Sequence, residues 1–208
     1  MIVVGITGNF SSGKSAVTGI FKKLGAKVFD ADLAAKQVVR KGTGLHRAII
    51  QIFGQQYLDK TGEIDRKKLA KRVFSNPKDL RKLNILIHPE VIFEAMKMKK
   101  KLQSKKGILV FDVPLLYETK MERLANKVIV VNASQGTMIS RAAKKGVGPA
   151  LSKKILATQW PPEKKANRAD FVIENNGNLK DLDQRARQIF KQIQEEAAAD
   201  NLLKKKLT

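Results

Sequence analysis

Near its start the chain carries a glycine-flanked segment with the residue types that bind phosphate groups. The segment reads Gly8-Asn9-Phe10-Ser11-Ser12-Gly13-Lys14-Ser15. Gly8 and Gly13 allow the backbone to curve closely around phosphates, and the N–H groups between them form an anion-binding nest. This spacing puts Lys14 on the β- and γ-phosphates of a nucleoside triphosphate and the Ser15 hydroxyl on Mg²⁺. The segment is therefore predicted to be a phosphate-binding loop.

The loop alone does not decide the reaction, because ATPases, GTPases and kinases share it. A GTPase usually carries an Asn-Lys-x-Asp guanine signature at the end of a later strand. Here Asn126-Lys127-Val128-Ile129 leads into an apolar run and lacks the aspartate. A kinase or ATPase is therefore favoured over a GTPase.

Two carboxylates lie at the end of the second apolar run, in Phe29-Asp30-Ala31-Asp32. Residues two apart in an extended chain point the same way, so both carboxylates are expected to face one site at the end of the sheet that the apolar runs would form. Phosphoryl transfer needs a carboxylate that accepts the proton of the acceptor hydroxyl, and Asp32 is the better placed base. The alternative role for Asp32 is the N-cap of a helix over Leu33–Lys41.

Three other positions are candidates for charge and proton handling. Asp112 ends the third apolar run, where a carboxylate would hold Mg²⁺ directly or through water, or would accept hydrogen bonds from local backbone. His88 precedes Pro89 and fits either an acceptor site or a hydrogen-bonded helix end. Arg141 lies on a predicted helix where a lid would bring positive charge to the transferred phosphoryl group; an ordinary solvated helix face is the alternative.

Five short apolar runs alternate with helical or loop segments, which predicts an α/β fold whose parallel sheet is covered by helices on both faces. The runs are Ile2–Thr7, Lys27–Asp30, Ile108–Asp112, Val128–Val131 and Phe171–Ile173. Helices are expected at Lys14–Leu24, Leu33–Lys41, Thr43–Gly54, Arg66–Phe74, Pro77–Gln103, Ser134–Lys145, Ser152–Gln159 and Leu179–Ala199. Pro77–Gln103 is either one long helix or two, with Pro89 marking a kink or the start of the second. A frayed tail is expected over Lys204–Thr208.

The composition narrows the class of protein. The 208 residues include no cysteine and only two histidines, His46 and His88, so a metal would be bound through oxygen ligands. No apolar run approaches the length of a membrane helix and no secretory signal is evident, so a cytoplasmic location is expected. The net charge of +22 suggests a nucleic-acid partner, but the lysines are spread over most helices and the aromatic fraction is only 6%. No specific nucleic acid is therefore expected.

The chain resembles the dephospho-coenzyme A kinases, a family of P-loop nucleoside-triphosphate kinases, from Val4 to about Gln192. The resemblance is carried by the phosphate loop and by four further segments in combination. These are Phe29-Asp30-Ala31-Asp32, Leu86-Ile87-His88-Pro89, Phe111-Asp112-Val113-Pro114-Leu115-Leu116-Tyr117-Glu118 and Ala169-Asp170-Phe171-Val172-Ile173-Glu174-Asn175-Asn176-Gly177.

The resemblance implies one kinase domain with a five-stranded parallel core, a helical coenzyme-binding region and a mobile lid around Arg141–Gln159. The core would comprise about residues 1–31, 107–133 and 160–200, the insertion about 32–106 and the lid about 134–159. The implied reaction phosphorylates the ribose 3′-hydroxyl of dephospho-CoA with ATP and Mg²⁺. Another nucleotide or small-molecule kinase of the same fold is the alternative, and a nucleic-acid-binding P-loop protein is less favoured.

The resemblance also assigns residues to roles. Catalysis is implied for Lys14, Asp32 and Arg141, and Mg²⁺ binding for Ser15 and Asp112. ATP binding is implied for Gly8, Asn9, Phe10, Ser11, Ser12, Gly13, Lys14, Ser15, Ala16 and Asn175, and acceptor binding for Thr7, Asp32, Arg66, His88 and Leu115.

Overall fold

A computed structural model describes the backbone of residues 1–206 and the side chains of residues 1–199. In this part of the chain, five strands form one parallel sheet in the order β2-β3-β1-β4-β5. The strands are β1 (Ile2–Thr7), β2 (Lys27–Asp30), β3 (Ile108–Asp112), β4 (Lys127–Asn132) and β5 (Phe171–Glu174). The predicted parallel sheet is confirmed, with β4 and β5 slightly longer than expected.

The register of the sheet brings the candidate site residues to one edge. Asp112 at the end of β3 is opposite Ile6 in β1 on one side and Asp30 in β2 on the other. Because the strands are parallel, the segments that follow β1, β2 and β3 leave the sheet together. The phosphate loop, Asp32 and the turn after Asp112 therefore meet above the same edge.

Helices cover both faces of the sheet, as predicted. They are α1 (Lys14–Lys23), α2 (Ala31–Val38), α3 (Gly44–Phe53), α4 (Arg66–Val73), α5 (Pro77–Leu102), α6 (Gln135–Ala143), α7 (Pro149–Ala157), α8 (Pro162–Ala166) and α9 (Leu179–Lys206). Helices α1 and α9 pack on one face, where the rings of Phe21 and Phe190 meet edge to face with centroids 5.1 Å apart. Helices α2 and α5 pack on the other face.

Helix α2 begins at Ala31, two residues earlier than predicted, and ends at Val38. The carboxylate of Asp30 accepts the Leu33 backbone N–H at 2.9 Å, so Asp30 rather than Asp32 is the N-cap. Asp32 therefore lies in the first turn of a helix, and the extended geometry expected for Asp30–Asp32 is wrong. A cap residue with extended backbone followed at once by helical residues explains the difference.

Helices α5, α7 and α9 decide or correct three further expectations. Helix α5 runs unbroken through Pro89, so the single-helix alternative is correct. Helix α7 starts at Pro149 rather than Ser152, because proline suits the first turn of a helix. Helix α9 continues to Lys206, beyond the predicted end at Ala199, so the first three residues of the expected tail are helical. The last two residues of the expected tail, 207 and 208, lie outside the described part of the chain.

The segment between β2 and β3 has a small core of its own. Its buried side chains come from the end of α2, from α3 and α4, and from the connection between those two helices: Val39, Ile49, Phe53, Ile64, Leu69 and Val73. Helix α5 joins this cluster to the sheet, because its Val91, Ala95 and Leu102 pack in the main core. The helical insertion is therefore anchored at the edge where β2 and β3 end. Across the described residues, none of the helices combines the length and apolar character of a bilayer-spanning segment.

Candidate active site

The phosphate loop joins β1 to α1 and contains two residues with a left-handed backbone. Gly13 has φ of +101° and Ser11 has φ of +60°, both in the left-handed region that favours glycine. A side chain at Gly13 would overlap the side-chain amide of Asn175, and one at Gly8 would overlap the Val131 carbonyl oxygen. Close approach therefore requires both glycines predicted from the motif, and the left-handed backbone favours glycine at Gly13 as well.

The loop is also held from outside. The Asn9 side-chain amide donates to the Trp160 carbonyl at 2.9 Å, and the Phe10 N–H donates to Gln159 Oε1 at 2.8 Å. Among the described residues, the buried hydroxyls of Ser11 and Ser12 have no hydrogen-bond partner. Unpartnered buried hydroxyls are uncommon, and here they belong to a loop whose chemistry suits an anionic ligand.

Lys14 and Asp112 form an ion pair at the centre of the site. Lys14 is the first residue of α1, and Asp112 is the last residue of β3. Their side chains are only 12% and 7% exposed, so the pair is largely removed from water. Ser15 follows at the exposed start of α1. The loop therefore presents an ammonium, a carboxylate and a hydroxyl at the positive end of a helix, which is an arrangement suited to a metal-bound polyphosphate.

Asp32 stands next to this pair and has a perturbed carboxyl group. Desolvation by the surrounding protein raises the pKa of Asp32, the Lys14 ammonium opposes that shift, and the Asp30 and Asp112 carboxylates add to it. The residue nevertheless keeps an exposed face, so the carboxyl is open to a ligand while surrounded by protein. A raised pKa brings a carboxylate closer to the range of an effective general base.

Arg141 and Asn175 meet the loop from the far side. Arg141 donates to the Ser12 carbonyl at 3.2 Å and to Asn175 Oδ1 at 3.4 Å, and the Asn175 amide donates to the same carbonyl at 2.7 Å. Arg141 and Asn175, which were both predicted to contact ATP, thus lie against the phosphate loop. Lys144 and Lys145, at the end of the same helix as Arg141, are exposed.

A cavity of about 350 Å³ opens beside Asp32. Its wall combines residues of the phosphate loop, the turn after β3, helices α2 and α5, and the end of α7, including Phe10, Asp32, His88, Leu115 and Gln159. Ile155, Thr158 and Gln159, all from the predicted lid, contribute to this wall. The cavity has the position expected for an acceptor, since it adjoins both the proposed base and the loop.

His88 lies on α5 between this cavity and a neighbouring open groove of about 630 Å³ that is also lined by Arg81, Ile85 and Ala157. Burial lowers the pKa of His88, and the nearby Glu118 carboxylate opposes that shift. A lowered pKa favours the neutral imidazole near pH 7, which can both donate and accept a hydrogen bond.

Comparison with known proteins identifies the family. A family model described as dephospho-CoA kinase matches residues 2–181. The chain belongs to the dephospho-CoA kinase family. A dephospho-CoA kinase of Fusobacterium nucleatum is 40% identical over 183 residues, covering 88% of this chain and 93% of that protein. One from Arabidopsis thaliana is 36% identical over 197 residues, covering 93% of this chain and 84% of that protein.

Solved structures agree with this assignment. A dephospho-CoA kinase from Campylobacter jejuni superposes with a TM-score of 0.70 at 25% identity, covering 94% of this chain and 98% of that chain. TT1252 from Thermus thermophilus gives a TM-score of 0.74 at 29% identity, covering 92% and 97%. A shikimate kinase from Aquifex aeolicus, at 15% identity and a TM-score of 0.51, shares the fold.

Two residues that the family resemblance places near the acceptor are engaged by the protein itself. The guanidinium of Arg66, at the start of α4, donates to the Lys36 carbonyl in α2 at 2.9 Å. The hydroxyl of Thr7 is fully buried and donates to the Pro114 carbonyl at 3.0 Å. Neither contributes to the cavity wall beside Asp32. Their acceptor-binding roles stay predictions of the family resemblance.

A buried group of residues next to the loop was not predicted from the sequence. Lys165 pairs with Glu118, whose carboxylate also accepts the Trp160 N–H at 2.8 Å. Glu118 ends one of the segments that carry the resemblance, and its place in that segment is the signal that could have pointed to a role. Lys165 had no signal, since it is one of 41 lysines and arginines.

Proposed function

We propose that this member of the dephospho-CoA kinase family transfers the γ-phosphoryl group of ATP to the ribose 3′-hydroxyl of dephospho-CoA, giving CoA and ADP. Family membership over most of the chain supports the acceptor. The structural observation that carries the mechanism is the position of Asp32. It lines the cavity beside the phosphate loop and interacts electrostatically with Lys14 of that loop.

In the proposed reaction, ATP binds with its phosphates in the loop and its γ-phosphoryl group toward the cavity. The backbone N–H groups, Lys14 and Arg141 neutralise the negative charge on the phosphates. Asp32 accepts the proton of the acceptor hydroxyl as the new oxygen–phosphorus bond forms, and the bond to the bridging β,γ-oxygen breaks to release ADP. Binding both substrates at one sheet edge supplies the proximity that this transfer needs.

Mg²⁺ is part of the proposal, and the residues present fit it. Asp112 and Ser15 supply the oxygen ligands that Mg²⁺ prefers, and one carboxylate with substrate phosphates and water commonly completes its site. Among the described residues, acidic and histidine side chains do not gather in a group of three or more that would hold a metal alone. Asp112 and Ser15 would therefore receive Mg²⁺ together with ATP, where it would neutralise phosphate charge.

A cytoplasmic location belongs to the same proposal, because the reaction draws on the cellular pool of ATP.

The net charge of +22 adds no further partner to the proposal. Lys14 of the loop and Lys165 of α8 pair with Asp112 and Glu118, so these two charges are neutralised within the protein.

An ADP-release assay with purified protein tests the proposal. The acceptor panel contains dephospho-CoA, adenosine, AMP and shikimate, each with Mg²⁺ and ATP, and mass spectrometry identifies the phosphorylated product. We expect turnover on dephospho-CoA with addition of one phosphate to the ribose. A Lys14→Ala variant prepared in the same way controls for contaminating kinases. Absence of turnover on dephospho-CoA above the no-acceptor background would refute the proposed function.

A further inference from the structure

A buried ion pair next to the phosphate loop takes no part in the chemistry proposed above. Lys165 of α8 is fully buried, and its ammonium lies 2.9 Å from Oε1 of Glu118. Burial lowers the pKa of Lys165, and the Glu118 carboxylate opposes that shift. Desolvating two charges is costly, so a buried ion pair is weak evidence for stability, and the further contacts of this pair indicate another role.

The ammonium of Lys165 fixes the turn that follows β3. It donates to the Pro114 carbonyl at 2.9 Å, and the same carbonyl accepts the Thr7 hydroxyl at 3.0 Å. Thr7 is the last residue of β1 and directly precedes Gly8 of the phosphate loop. Pro114 and the next residue, Leu115, line the acceptor cavity. One carbonyl thus joins the entry of the phosphate loop to the wall of the acceptor cavity.

The carboxylate of Glu118 fixes the segment that returns from the predicted lid. Its Oε1 accepts the Trp160 N–H at 2.8 Å, and the Trp160 carbonyl accepts the Asn9 amide of the phosphate loop at 2.9 Å. The preceding residue, Gln159, accepts the Phe10 N–H at 2.8 Å. Two residues of the loop are therefore held by a segment whose backbone is oriented by Glu118.

Aromatic packing holds the Trp160 ring independently of this hydrogen bond. The ring is stacked on Tyr117 with centroids 5.9 Å apart, and the Lys164 ammonium lies 3.9 Å from its centroid. These contacts fix the side chain and leave the direction of the backbone N–H to its acceptor, Glu118.

We propose that Lys165 and Glu118 are positioning residues that hold the phosphate loop and the acceptor turn in the arrangement required for phosphoryl transfer. The inference rests on the proposed function, because this arrangement matters for a transfer between the two sites. Neither residue contacts the reacting atoms. Their effect passes through Pro114 on the acceptor side and through Trp160 and Asn9 on the nucleotide side.

Three variants test the inference: Lys165→Met, Glu118→Gln and the double variant. Each single change leaves a buried charge unpaired and is expected to lower both Tm and kcat. The double change removes both charges, so Tm is expected to return toward the wild-type value. Methionine cannot donate to the Pro114 carbonyl, however, so kcat of the double variant should stay about 10²-fold below wild type, the usual cost of misplacing reacting groups.

Asp79→Asn is the matched control. It breaks a partly buried ion pair with Arg72 in the helical insertion, where the two side chains lie 2.7 Å apart. This control is expected to lower Tm and to leave kcat unchanged. A double variant that regains wild-type kcat together with wild-type Tm would show that the Lys165–Glu118 pair is only structural and would overturn the inference.

Two further measurements keep the test decisive. If the double variant does not fold, Thr7→Val removes the other donor to the Pro114 carbonyl without burying a charge. We expect about a 10-fold lower kcat, which is within the cost of misplaced reacting groups. Wild-type kcat in this variant would overturn the inference.

If the wild-type protein shows no turnover on dephospho-CoA, the proposed function fails. Calorimetric ADP binding without acceptor then decides this inference: weaker binding by the double variant supports it, and unchanged binding refutes it.

Discussion

The side-chain amide of Asn175 donates to the Ser12 carbonyl at 2.7 Å, joining the segment after β5 to the phosphate loop. Arg141 donates to the same carbonyl and to Asn175 Oδ1, so both polar atoms of the asparagine side chain are engaged by the protein. The Asn175 backbone N–H is held by the Asn132 carbonyl at 2.8 Å. The residue therefore connects the loop, the predicted lid helix and the sheet.

Replacing Asn175 with alanine should weaken ATP binding through loss of this connection. The Ser12 carbonyl would keep only Arg141, which would itself lose the Oδ1 acceptor. We expect the KM for ATP to rise about tenfold, which corresponds to about 1.4 kcal/mol. Asn178→Ala is the matched control, because Asn178 caps α9 through the Lys180 and Asp181 N–H groups. It should cost about 1 kcal/mol of stability and leave the KM for ATP unchanged. Equal KM values in both variants would contradict the assignment.

Asp32→Asn should preserve nucleotide binding and slow the chemical step. The amide keeps the shape of the side chain but cannot accept the hydroxyl proton, so kcat is expected to fall by about 10²–10⁴-fold. Steady-state kinetics on dephospho-CoA, with ADP affinity measured separately, provide the test. Asp30→Asn serves as control: Asp30 caps α2 and asparagine is an equally good N-cap, so this variant should retain both its stability and its turnover. Near-wild-type kcat in Asp32→Asn would leave Asp32 without a role as base.

The raised pKa of Asp32 also predicts a pH-dependent effect on stability. Desolvation makes the ionised carboxylate less favourable in the folded protein than in the unfolded chain. Below the unfolded pKa the group is protonated in both states and contributes nothing. As pH rises from the unfolded pKa to the higher folded pKa, the unfolded chain ionises first and the stability of the fold falls, and the loss is complete above the folded pKa. Asp32→Asn should therefore raise the Tm of the ligand-free protein at pH 7, and this gain should vanish under acidic conditions. A Tm difference that is independent of pH would contradict the predicted linkage.

The sheet and the phosphate loop were predictable because their signals are local. An apolar run such as Ile108–Asp112 is buried on both faces, and the Gly8–Ser15 spacing is the one that a phosphate-binding loop needs. The geometry at Asp32 was less accessible. The sequence Asp30-Ala31-Asp32 fits an extended chain as well as a cap followed by a helix, and the packing of α2 against α5 selects the helix.

The contacts that hold the loop were not predictable from local patterns. Phe10 and Gln159 are 149 residues apart and Asn9 and Trp160 are 151 apart, so only the folded chain brings these partners together. Lys165 is indistinguishable in sequence from lysines on solvated helix faces, yet it is fully buried. Burial of a charged residue depends on the tertiary position of its partner, here Glu118.

Asp112→Asn tests the proposed role of Mg²⁺. The substitution replaces the carboxylate at the end of β3, which pairs with Lys14, by an amide, which is a weaker metal ligand. We expect the Mg²⁺ concentration for half-maximal rate to rise by about 10–100-fold, the loss typical of altering a group around a metal. The assay varies free Mg²⁺ at fixed, saturating ATP and dephospho-CoA.

Asp170→Asn is the control for this experiment. Asp170 is also an aspartate next to a strand, but its carboxylate accepts the Val128 N–H at 2.7 Å within the fold. Its replacement should lower Tm without changing the Mg²⁺ requirement, because it lies outside the phosphate loop and the cavity wall. If Asp112→Asn showed the wild-type Mg²⁺ dependence, the role of Asp112 would be only to orient Lys14. Such a result would move the metal to Ser15, the substrate phosphates and water.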